Sequence, residues 1–239
     1  MKKLNTKILG ALCLLPALVV GSAQAALITD ASSLTGSSTT IDFSQFAGNE
    51  QQGINGLIQL STLAGEDIQA RTSNDPKDLW LTNTSWNLAD NGSWDAARDG
   101  FLGIKPSSIQ NTNPIQIYFN SGYISGFGFF MNYFLDPNTI AGSVSLSAYD
   151  TGATLLEEFI INPAGDGIST SGLNNGGAFK GIQRSTADIA YIELTGFNAV
   201  FDDLQFTRDV PEPTSIALLL LGLAGVGYSC KKTKNQLAT

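Results

Sequence analysis

The sequence predicts an all-β protein built as a single β-sandwich, and three observations predict it. Short runs rich in Ile, Val, Tyr, Phe and Thr recur between clusters of Gly, Asn, Asp and Ser, which is the punctuation of many short strands. In the clearest run, SVSLSAYD at 143–150, Val144, Leu146 and Ala148 alternate with serines, the period-two pattern of a strand with one buried face. Between residues 26 and 210 no long stretch holds apolar residues at helical spacing, and nothing repeats.

Taken along the chain, strands are expected at residues 39–43, 55–60, 67–71 and 79–82, the last being LWLT between a Pro-containing turn and an Asn-Thr-Ser loop. The next is 114–120, where Ile115, Ile117 and Phe119 share one face, followed by the aromatic-rich 124–133. Residues 144–149 and 155–161 form a hairpin around a turn at 150–153, to which Asp150 and Gly152 bring turn chemistry. Residues 162–177, rich in Gly, Asn, Ser and Pro, read as a long loop, and strands at 189–194 and 199–206 close the domain. Each strand is expected to bury one face, with Trp80 in the core between Leu79 and Leu81.

Both ends carry different chemistry. Lys2, Lys3 and Lys7 precede an apolar stretch at 8–20, and Ala23, Gln24 and Ala25 supply the small-x-small site of a secretory signal peptide cut between Ala25 and Ala26. Cys13 is no lipoprotein cysteine, because Leu12 precedes it where a small residue is needed. At the other end Pro211, Glu212 and Pro213 precede an apolar run at 214–230 and then Lys231, Lys232 and Lys234. The two prolines remove backbone donors and bias Glu212 toward extended geometry, which suits a segment gripped by a processing enzyme. The run would reach about 25 Å as a helix, slightly short of a hydrocarbon core of roughly 30 Å, and can still span with Tyr228 and the lysines at an interface. Three parts follow: a signal peptide at 1–25, an exported domain at 26–209 and a sorting tail at 210–234.

This tail, VPEPTSIALLLLGLAGVGYSCKKTK, resembles a PEP-CTERM sorting signal, with its Pro-Glu-Pro motif, Gly- and Leu-rich transmembrane helix and basic end. The resemblance implies transient anchoring in the inner membrane of a Gram-negative bacterium and processing by an exosortase, after signal peptidase has acted at the other end. It also implies transfer to the cell surface or extracellular matrix, alongside exopolysaccharide. The duller alternative is an anchor that stays uncut.

Between the signals, residues 26–210 hold seven Lys and Arg against twenty Asp and Glu, a net charge of −13 where the whole chain carries −8. Such a domain repels nucleic acid and anionic membrane surfaces and stays soluble. Neither Cys13 nor Cys230 lies within it, so it forms no disulfide, and with no histidine anywhere it holds no Ser-His-Asp system and no His-ligated zinc. What remains is carboxylates, backbone oxygens and aromatic faces.

The runs ISGFGFFMNY, SLSAYDTGATLLEEF and GGAFKGIQRSTADIAYIELTGFNAVFDDLQF resemble the lectin-like or carbohydrate-binding-module-like jelly rolls of exported PEP-CTERM proteins. In those proteins a strand ending Asp-Asp-Leu-x-Phe closes the sandwich just before the tail. Asp42 in the first clear strand, with Asp202 and Asp203 in the last, is then a candidate structural calcium site, since jelly rolls often set their terminal strands side by side. The tryptophans Trp80, Trp86 and Trp94 fall in one stretch, where Trp86, Asn91, Trp94, Asp95 and Arg98 form a candidate sugar-stacking platform. Adjacent strand carboxylates such as Glu157 and Glu158 point to opposite faces and cannot form a glycosidase pair. The reading is a non-enzymatic surface or matrix protein, with a calcium-stabilised sugar-binding module as the alternative.

Overall fold

Alternating apolar side chains drive this chain into two sheets that close over a shared core. The computed structural model describes residues 25–46, 51–52, 57–60, 65–72, 79–83, 85–88, 91–94, 100–104, 113–134, 144–161, 177–208 and 222–223. Residues 1–24, all but the last of the signal peptide expected at 1–25, and Pro211, Glu212 and Pro213, lie outside these residues. Of the apolar run near the C-terminus only Gly222 and Leu223 are described, both helical. No described helix is long and apolar enough to cross a membrane.

The strands, in order, are β1 (Ala26–Ile28), β2 (Ser38–Ile41), β3 (Gln51–Gln52), β4 (Leu57–Gln59), β5 (Ile68–Thr72), β6 (Leu79–Thr82), β7 (Trp86–Asn87) and β8 (Ser93–Trp94). They continue as β9 (Phe101–Ile104), β10 (Ile115–Phe119), β11 (Gly126–Asn132), β12 (Val144–Tyr149), β13 (Leu155–Ile161), β14 (Ala178–Gln183), β15 (Tyr191–Thr195) and β16 (Val200–Thr207). One sheet runs β1-β14-β11-β16-β9-β6-β3 with β2 also on β16, the other β13-β12-β15-β10-β5-β4, and β7 pairs β8 alone. Every pairing among the described residues is antiparallel, so the expected all-β sandwich is what forms.

The core lies between the sheets. Leu81, Phe127, Phe129, Phe201 and Phe206 from the larger sheet meet Ile68, Ile117, Leu146, Ile192 and Leu194 from the smaller. Phe119 and Phe206 bridge the layers with ring centroids 5.3 Å apart. The hairpin forms at the expected strands, Val144–Tyr149 paired with Leu155–Ile161.

Three expectations need correcting. The strands β9 and β14 were not expected, because FLGI is too short to show a period and AFKGIQ interrupts its apolar face with Lys180 and Gly181. Gly181 is there because β14 and β11 approach closely; a Cβ at that position would collide with the Phe127 carbonyl. Nor does each strand bury one face alone: β9 is buried at all four residues, and β11 at all but Phe130. Trp80 is half-buried on the outer face of its sheet, while Leu79 and Leu81 fill the core.

Candidate functional site

The tryptophan stretch is structural. The hairpin β7–β8 lays Trp86 and Trp94 onto the outer face of the larger sheet, where they join Leu88, Phe101 and Val200 in a second apolar cluster. Trp94 is fully buried and Trp86 is 9% exposed, so neither presents a ring to a sugar. Gly103 makes room for Trp86, since a Cβ there would stand 2.5 Å from the indole. Asn91 is buried, donating from Nδ2 to the Tyr133 carbonyl at 2.6 Å, while its own carbonyl accepts from Asn132. It clamps the hairpin to β11. Polar neighbours in sequence made these residues look like a surface platform, but they are the lid of a second core. Asp95 and Arg98 lie outside the described residues.

The acidic junction forms as a neighbourhood. β2 and β16 do lie side by side, with Ile41 opposite Leu204. Asp202, which is buried, accepts from the Asp203 N–H at 2.7 Å and, at a longer 3.5 Å, from the Phe43 N–H. Asp42 turns to the Ser44 hydroxyl at 2.9 Å. Among the described residues no three acidic side chains group as metal ligands. The Asp203 and Phe43 amides both meet the same Asp202 oxygen, Oδ1.

Asp202 and Asp203 instead mark a bulge. Gly128 faces Gln205 and Phe130 faces Asp202, so Asp203 and Leu204 together oppose Phe129. Asp203 takes φ +51°, and the extra residue resets the strand's phase, placing Phe201 on the core side before it and Leu204 and Phe206 after it. The partner strand changes at the same point, from β9 at Val200–Phe201 to β2 from Leu204 onward.

Several of the remaining described carboxylates hold arginines or amides. Glu157 pairs with Arg184, which also holds Asp188 at 2.7 Å, and Glu158 is exposed on the opposite face. Glu66 takes Arg208 at 2.6 Å, and that guanidinium holds its carboxyl below the usual carboxylate range. Glu193 accepts from Gln116 at 2.7 Å.

The outer face of the smaller sheet carries an array that sequence reading missed. Tyr118 on β10 stands opposite Tyr191 on β15, which stands opposite Tyr149 on β12. Their rings stack with centroids 4.7 Å apart at each step, and the Arg71 guanidinium covers the free face of Tyr118 at 4.5 Å. Burial, followed by the neighbouring tyrosines and Glu193, pushes the Tyr191 hydroxyl up, so it stays a neutral donor. The row ends in a cleft of about 620 Å³ where β10 stops and β15 starts. Its walls are Tyr118, Tyr191, Tyr123, Asn120 and the turn residues Thr151 and Ala153. Each tyrosine sits in the outward phase of its strand, a signal the sequence held; which strands adjoin was not in it.

Among curated proteins, none matches the chain. Among solved structures it is similar to the K2 cleaved adhesin domain of Lys-gingipain, at 12% identity and TM-score 0.36, over 72% of this chain and 99% of that one. It is also similar to a mutant of the lectin binding domain of Lectinolysin complexed with Lewis b, at 8% identity and TM-score 0.33, over 68% and 91%. A low affinity xylan binding module from Roseburia intestinalis shares 16% identity at TM-score 0.17, over 57% and 95%. Residues 209–232 match the family model of the PEP-CTERM protein-sorting motif, and the chain is thus an exported protein with that motif at its C-terminal end.

Proposed function

We propose that the chain is a non-enzymatic component of the cell surface or extracellular matrix, delivered across the inner membrane and released or transferred by an exosortase at Pro211, Glu212 and Pro213. The match at 209–232 carries this reading. It is supported by a domain in which most described carboxylates hold arginines, amides and turns, with no carboxylate among the described residues lining the cleft. A net charge of −13 between the signals suits a soluble matrix component that stays off anionic membrane surfaces. Association with exopolysaccharide follows from the same sorting route.

Mass spectrometry of the cell-associated and secreted forms tests it. The secreted form should end near Pro213, and deleting 209–232 should abolish that processing. A secreted form that keeps Thr239 would sink the sorting reading in favour of an uncut anchor.

A further inference from the structure

We propose that the cleft beside Tyr123 binds a neutral hexopyranose glycan, with the Tyr123 ring as its stacking surface and Asn120 and Thr151 as partners for sugar hydroxyls. Among the described residues the lining has aromatic rings, an amide, a hydroxyl and small residues, and no charged group. A pyranose offers the matching chemistry, an apolar C–H face bordered by hydroxyls. Tyr123 is 50% exposed and its ring stacks on no other among the described residues, unlike Tyr118, Tyr149 and Tyr191, whose faces are largely covered by one another and by Arg71. Tyr118 and Tyr191 of the ladder therefore form one wall of the cleft, and Tyr123 supplies the open face.

Both rims are held in place before any ligand arrives. Arg208 donates to the Gly122 carbonyl and, at 2.9 Å, to the Tyr123 carbonyl, and is itself fixed by Glu66. On the other rim, Asp150 accepts from the Thr154 N–H at 2.8 Å and receives the Ala153 N–H on its carbonyl at 3.2 Å. A preformed cleft spends little binding energy on ordering loops. The acidic domain selects against polyanions, which excludes uronate-rich and sulfated chains as the preferred ligand.

This assignment deepens the surface role and rests on it for what the chain meets outside the cell; the binding itself is testable on the purified full chain in detergent. An array of neutral hexose oligosaccharides and uronate-bearing ones is the probe, followed by calorimetry on the strongest ligand. Neutral glycans should be retained and uronates not; Tyr123→Ala should weaken binding about tenfold or more, and Tyr123→Phe should hold it within about threefold. Circular dichroism checks the fold of each variant. Retention of no neutral glycan, equal retention of uronates, or full affinity in Tyr123→Ala would overturn the proposal. A correctly cut secreted chain that binds no glycan refutes the cleft alone, whereas a glycan-binding chain that keeps Thr239 refutes the sorting reading alone.

Discussion

Trp86 meets Phe101 edge to face, with ring centroids 5.1 Å apart and planes at 84°. Trp94 contacts the same ring from another side at 6.1 Å, so one phenylalanine anchors both indoles of the hairpin β7–β8. Trp94→Ala removes a fully buried side chain and should cost about 3–5 kcal/mol in urea unfolding. Gly103→Ala should cost about 1–3 kcal/mol by displacing Trp86. Indole emission should stay unchanged on adding neutral glycans, since neither ring reaches solvent as a platform.

The bulge at Asp203 makes a second prediction. A left-handed backbone at φ +51° tolerates Asp, Asn and Gly but not a β-branched side chain. Asp203→Gly should leave stability within about 0.5 kcal/mol, whereas Asp203→Val should lose about 1–3 kcal/mol. With Asp202 capping backbone amides, millimolar Ca²⁺ or EDTA should leave the melting temperature of wild type unchanged. A rise of several degrees with Ca²⁺ would restore the metal site.

Acid should weaken the pin on the Tyr123 loop. Glu66 has its folded pKa lowered by Arg208, so its contribution is complete above the usual value of 4.5 and is lost as pH falls through the lowered one. Melting temperatures from pH 6 to pH 3 should therefore fall less steeply for Glu66→Gln than for wild type. Arg208→Ala should lower stability by about 1–2 kcal/mol at neutral pH, through the carbonyls it leaves unpaired as much as through the ion pair.

The turn that forms the other rim holds a strained alanine. Ala153 has φ +59°, a conformation that costs an L-residue about 1–2 kcal/mol relative to glycine. Glycine loses some of that gain to the entropy of the unfolded chain, so Ala153→Gly should raise stability by about 0.5–1 kcal/mol in chemical denaturation. An unchanged or lower midpoint would show that this turn is not strained.

Strands whose period-two pattern was long enough to read, among them β10 and β12, were legible in the sequence, because alternation depends only on a residue's own neighbours. β9 and β14 were not, since buried faces on both sides erase alternation and a glycine required by a neighbouring backbone looks like a loop signal. The candidate site shows the same division. Trp86 and Trp94 sit in polar sequence, yet their burial is set by the open outer face of a sheet built from strands far away in the chain.

By itself the sequence determined the sandwich class, the acidity, the absence of histidine and of cysteine from the exported part, and the sorting motif at 209–232. These depend on composition and on contiguous residues. The tertiary structure decided which aromatic residues are core and which line a cleft. Tyr118, Tyr149 and Tyr191 become one ladder only because antiparallel pairing brings β10, β12 and β15 into register, and Tyr123 stays open only because Arg208, eighty-five residues further on, holds its loop. Long-range pairing sets those positions, and no local pattern encodes it.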